Sequence, residues 1–199
     1  MRRIPISARI LALLLPLLAL AACSGGLFGP PELNGTVYAE PRPTPEFTLQ
    51  NAPRETVSLE DFRGKVVPIY FGYTSCPDIC PTTMANLARV QEAVDPEGEA
   101  MQVLMITVDP QRDTPSVLQE YVGGFDPTFV GLSGTDEQIA AAAEPFGIYY
   151  QAAEGSPEDL VDHTARIFVV DKSGALRVTY AYDTPVEDIT ADMRVLVGE

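Results

Sequence analysis

The sequence predicts an α/β domain built on a central mixed β-sheet flanked by helices, and three observations carry that prediction. Val66 to Tyr73 and Val103 to Val108 are continuous apolar runs, as expected of strands buried on both faces of a sheet. Segments of helical period with start and stop signals separate them, which is the pattern of a βαβ unit. The chain has 199 residues, 46% of them hydrophobic, enough for one domain with a proper core and too few for two.

The first 22 residues read as an export signal. Arg2, Arg3 and Arg9 precede the apolar run Ile10 to Ala22, which Pro16 interrupts and which is shorter than the roughly 20 residues of a spanning helix. The run closes with Leu20-Ala-Ala-Cys23, which resembles the lipobox of bacterial lipoproteins. That resemblance implies a diacylated Cys23 as the mature N-terminus; the alternative is an ordinary signal peptide with an unrelated cysteine. The expected location is therefore exported and membrane-anchored, on the outer or periplasmic side of the cytoplasmic membrane. Residues 23–45 carry glycines and prolines without a sustained period, and read as a flexible tether of about 25 Å root-mean-square span. Val37 and Tyr38 are apolar enough to dock on the domain.

The domain is expected to occupy residues 46–199. Phe47-Thr-Leu49 alternates as a short strand, Asn51-Ala-Pro53 turns, and Val57 to Phe62 leads through Gly64 into the first buried run. Pro68 sits awkwardly there, since proline donates nothing to a ladder; the strand must begin near it or bulge at it. Met84, Leu87, Ala88 and Val94 recur at helical spacing up to the stop Asp95-Pro-Glu-Gly98, and Val103 to Val108 follows. Thr114-Pro115 starts a second helix that Gly123-Gly124 ends, and Phe129 to Leu132 makes a third strand. Thr135 to Gln138 is a capping box for an alanine-rich helix. Arg166 to Val170 and Leu176 to Tyr180 form a hairpin, and Thr184 to Glu187 reads as another capping box, before a terminal helix. This order describes a thioredoxin-like domain with a parallel half made by right-handed crossovers.

Charge and rare residues narrow the function. Against 13 Lys and Arg stand 28 Asp and Glu, a formal charge of -15, the wrong sign for neutralising phosphates, so nucleic acid is excluded as a partner. Three cysteines and one histidine leave no room for a multi-site zinc scaffold. Cys76 and Cys80 fall where the first buried strand ends, the end at which open α/β sheets bind ligands. If both lie in the first helical turn, they stand roughly 40° apart around its axis and can share one ligand. A helix N-terminus favours thiolate over thiol, hence both nucleophilic attack and metal ligation. Two thiolates with the single imidazole, His163, suit Cu(I) by softness, whereas Zn(II) wants a fourth ligand.

Three stretches then resemble the Sco/SenC family: Tyr70-Phe-Gly-Tyr-Thr-Ser-Cys-Pro-Asp-Ile-Cys-Pro-Thr-Thr83, Val108-Asp-Pro-Gln-Arg-Asp-Thr-Pro115 and Val161-Asp-His-Thr164. The resemblance covers Glu46 to the C-terminus. It implies a thioredoxin-like copper-binding protein, carrying Cu(I) or Cu(II), that helps assemble the binuclear copper centre in subunit II of cytochrome oxidase. It also places the family ligands on Cys76, Cys80 and His163. The departures are Pro68 and a lipoprotein tether where many relatives have a transmembrane anchor.

Other readings stay open beside this one. A thiol–disulfide oxidoreductase would use Cys76 to attack and Cys80 to resolve, keeping the copper-site cysteines of the oxidase reduced. A thiol peroxidase fits the fold but has no use for His163. A plain structural disulfide closes too short a loop to constrain the unfolded chain much. Asp78 is either an outer ligand or a charge at the helix start, and Asp113 reads as part of a cap. Asp162 is placed to orient His163. Met84, Met101, Met105 and Met193 sit in periodic apolar contexts and read as core.

Overall fold

The computed structural model describes residues 32–44, 46–52, 55–152 and 161–199. In chain order the elements are β1 (Thr36–Pro43), β2 (Thr48–Ala52), β3 (Glu55–Ser58), β4 (Val67–Gly72), α1 (Ile79–Val94), β5 (Leu104–Thr107), α2 (Pro115–Gly123), β6 (Val130–Leu132), α3 (Asp136–Ala143), β7 (Tyr150–Ala152), β8 (Val161–His163), β9 (Arg166–Val170), β10 (Ala175–Ala181) and α4 (Val186–Gly198). Six strands form one sheet in the order β1-β10-β9-β4-β5-β6, while β2-β3 and β7-β8 are separate two-stranded ribbons. β4, β5 and β6 run parallel, linked by α1 and α2, and β9 lies antiparallel to β4.

Continuous apolarity explains the centre. Every residue of β4 and β5 is buried, since each strand has neighbours on both edges and cover on both faces. Pro68 is tolerated because it lies one residue into β4. Its pairing with Val169 of β9 is in register, while the β5 side makes a bridge at Val66 and resumes its ladder at Ile69. The four methionines read as core, Met84, Met101, Met105 and Met193, are fully enclosed.

Helix starts follow local chemistry. Thr114 caps α2, with Pro115 as its first residue, and Thr135 and Gln138 close the expected box on α3. The box read at Thr184 to Glu187 does not form. α4 begins one residue later than that box requires, and the carbonyl of Pro185 instead accepts the N–H groups of Asp188 and Ile189.

The boundary expected at Glu46 is also corrected. The unit begins at Leu33, and β1, inside the stretch read as tether, is the edge strand beside β10. What holds it is Asp192 of α4, a buried carboxylate that accepts from Asn34 N and Nδ2 (both 2.8 Å), Gly35 N (3.1 Å) and Tyr180 Oη (2.8 Å). A Cβ on Gly35 would come within 2.4 Å of Val178, so only glycine lets the chain lie this close to β10. Register places the start of β1 level with the middle of β4: Thr36 pairs with Thr179, Thr179 with Phe168, and Phe168 with Ile69 of β4.

Candidate functional site

The thiols stand where β4 gives way to α1. Cys76, expected in the first helical turn, lies ahead of it: α1 starts at Ile79, and the Cys76 N–H donates to Tyr73 O at 3.3 Å in a turn. Pro77 is the local reason, because a residue before proline avoids helical dihedrals. Cys80 is in the first turn, and its N–H donates to Cys76 Sγ at 3.4 Å. The sulfur of Cys76 thus takes a helix-start donor that Asp78 leaves alone; Asp78 occupies the capping position, exposed and without a cap bond. Both cysteines are free thiols, Cys76 half-buried and Cys80 buried.

Cys80 is enclosed beside Tyr70 and Gly72. Tyr70 Oη donates to its Sγ at 3.5 Å, and a Cβ on Gly72 would reach that sulfur at 3.1 Å and the Tyr70 ring at 2.7 Å. Burial pushes the Cys80 thiol up to about 12, against the opposing pull of hydrogen bonds from the Tyr70 hydroxyl and the Tyr73 backbone. The expectation that a helix start makes both sulfurs thiolate is corrected at Cys80, where desolvation wins. The Tyr70 and Tyr73 phenols are likewise raised, first by burial and then by the sulfurs beside them.

The second motif grips this loop. Asp113, read as part of a cap, is fully buried and accepts from Thr74 N (3.0 Å), Thr74 Oγ1 (2.5 Å) and Thr107 Oγ1 (2.7 Å). It therefore fixes the backbone two residues before Cys76. Asp109 is ion-paired with Arg112, whose guanidinium lies 5.9 Å from the Tyr73 ring centroid. Only the chain spacing Asp109-Pro-Gln-Arg-Asp113 hints at these roles; nothing local in the sequence links it to Thr74 or Tyr73.

The third motif arrives by a ribbon. His163, read as preceding a strand, ends β8, where its backbone pairs with Tyr150 of β7. The first residue of β8, Val161, donates its N–H to Tyr73 Oη at 3.2 Å. The strand that bears His163 is in this way tied to the residue that begins the thiol loop. The side chains of Asp162 and His163, and Cys23 with the whole leader, lie outside the described residues.

Two sulfurs side by side support soft-metal binding or dithiol chemistry. Of the nearby carboxylates, Asp113 is engaged by two threonines and Asp109 by Arg112, while Asp78 stays exposed between the cysteines. Among the described residues, no group of three or more His, Cys, Asp and Glu side chains is placed to hold a metal. Two thiols as the paired donors suit a thiophilic ion.

Comparison with known proteins agrees with this geometry. The SCO1/SenC family model matches residues 37–198. Among solved structures, apo Sco1 from Thermus thermophilus is 40% identical with a TM-score of 0.75, covering 86% of this chain and 99% of that one. Copper-bound ScoI from Arabidopsis thaliana is 29% identical with a TM-score of 0.72, covering 79% and 99%. A SCO1/SenC family lipoprotein from Bacillus anthracis is 26% identical with a TM-score of 0.67, covering 82% and 96%. The fold is thioredoxin-like.

Proposed function

This chain belongs to the SCO1/SenC family, whose members bind copper and serve cytochrome oxidase assembly, and from that premise we propose that it is a copper metallochaperone. It takes copper on Cys76, Cys80 and His163 and delivers it to the binuclear centre of oxidase subunit II. The observation that carries this reading is the pinning of the β8 backbone to Tyr73 beside two adjacent thiols. A neutral Cys80 thiol must lose its proton when it ligates, so copper uptake releases protons to solvent.

The same sulfurs support a second reading. Thiolate Cys76 attacks a disulfide of the partner, Cys80 resolves the mixed disulfide, and two electrons and two protons pass to the partner as this chain is oxidised. The half-buried position of Cys76 over a buried Cys80 suits that order of events. His163 separates the two readings, because the chaperone needs it as a ligand. Competition against a Cu(I) chelator and reduction of a model disulfide peptide are measured on His163→Ala and on the Cys76→Ser, Cys80→Ser double variant. The chaperone reading expects the double variant to lose copper, and His163→Ala to weaken binding while peptide reduction persists. Wild-type copper retention by His163→Ala would leave the oxidoreductase reading in its place.

The anchoring is proposed on the leader sequence and on the likeness to the Bacillus anthracis lipoprotein. Lipid on Cys23 holds the domain to the membrane through Ser24 to Glu32, a leash of at most about 35 Å when extended. Cys23→Ala should move the protein from the membrane to the soluble fraction; recovery of the unaltered chain as soluble would refute the anchor.

A further inference from the structure

We propose that Tyr73 and Arg112 are positioning residues of the copper site, setting where β8, and with it His163, stands relative to the thiols; this rests on the metallochaperone reading above. The β7-β8 ribbon consists of two three-residue strands and shares no ladder with the six-stranded sheet. So short a ribbon has little stability of its own, and its place must come from ties to the core. One such tie is the 3.2 Å bond from Val161 N–H to Tyr73 Oη. Tyr73 is also joined to the thiol loop, since its carbonyl accepts the Cys76 N–H at 3.3 Å. A single residue therefore meets both the strand that carries the histidine and the backbone of the first thiol.

The phenol is itself held. Tyr73 is buried, and the Arg112 guanidinium stands over its ring at 5.9 Å, a distance at which a cation is attracted to the ring face. Asp109 holds the guanidinium by an ion pair. The turn that bears Arg112 is rigid: Asp113 N donates to Asp109 O at 2.9 Å, and the Asp113 carboxylate grips Thr74. The thiol loop and the histidine strand are thus both referenced to one turn, residues 109–113. Groups that orient a metal ligand without touching the metal change affinity by about 10- to 100-fold when removed.

Tyr73→Phe tests this with the least disturbance, because the ring stays under Arg112 and only the oxygen goes. Arg112→Gln is the second variant and leaves that oxygen in place. In the full chain without copper, amide hydrogen exchange at Val161 should quicken at least tenfold in Tyr73→Phe. Cu(I) affinity, read by chelator competition, should fall about 10-fold in Tyr73→Phe and in the same direction in Arg112→Gln. Neither variant should lose further affinity when His163 is already alanine, since there is then no imidazole to place. Equal losses in the wild-type and His163→Ala backgrounds would overturn the proposal and assign the effect to Cys76. Unchanged exchange at Val161 would overturn it as well. If His163→Ala binds copper like wild type, it is the metallochaperone reading that fails, and the exchange at Val161 alone then decides whether Tyr73 places the strand.

Discussion

Replacing Asp113 by alanine removes the acceptor that joins the second motif to the thiol loop. Three donors lose their partner in an enclosed site: Thr74 N–H, Thr74 Oγ1 and Thr107 Oγ1. Each orphaned buried donor costs about 1–3 kcal/mol. The backbone N–H cannot turn away, while the two hydroxyls can rotate in search of another acceptor, so the sum lies near 3–5 kcal/mol. For a domain of this size the loss lowers Tm by about 10 °C. Urea unfolding followed by circular dichroism measures it, and an unchanged m-value shows that the unfolded state is not the cause. Asp113→Asn keeps one oxygen acceptor and should cost less than half as much. Thr74→Val in the Asp113→Ala background should add little, since the bond is already gone. A loss under 1 kcal/mol for Asp113→Ala, or full additivity with Thr74→Val, would refute the reasoning and return Asp113 to the role of a simple cap.

Burial at Cys80 also predicts a pH effect on the metal-free protein. Because the folded thiol holds its proton to about 12 and an unfolded thiol loses it near the ordinary 9, the folded state binds more protons in that interval. Stability must therefore fall as pH rises above 9, by up to about 1.4 kcal/mol per unit. Buried Tyr70 and Tyr180 add the same sign above their ordinary value of 10, so wild type and Cys80→Ala are compared between pH 9 and 10, where the variant should lack the slope. Equal slopes there would show that the thiol is not held neutral. Away from the thiols, Asp192→Ala orphans donors on Asn34, Gly35 and Tyr180, and should cost at least about 2 kcal/mol while opening residues 33–43 to proteases. Unaltered cleavage in that segment would mean that β1 is held by its ladder to β10 alone.

The sequence by itself determined the elements whose chemistry is local. Continuous apolar runs at Val66 to Tyr73 and Val103 to Val108 can be satisfied only inside a covered sheet, and Thr114-Pro115 and Thr135 to Gln138 carry their helix starts within one turn of chain. The β9-β10 hairpin was legible for the same reason, with Gly174 supplying the left-handed turn at φ 81°. The thiol pair was visible because Cys76 and Cys80 are neighbours in the chain. Tertiary structure decided what depends on partners distant in sequence. β1 looked like a tether because its residues are mostly exposed, and it becomes a strand through pairing with β10 and the clamp at Asp192. Asp113 looked like a cap until Thr74, 39 residues away, was placed against it. The chain made both sulfurs look like thiolates at a helix start. Folding buried Cys80 under Tyr70 and Gly72, and desolvation of a charged sulfur outweighs the pull of a helix terminus. Composition and period report what a residue prefers, whereas enclosure, which sets the state of that thiol and the reach of Tyr73 to Val161, arises only when separate segments meet.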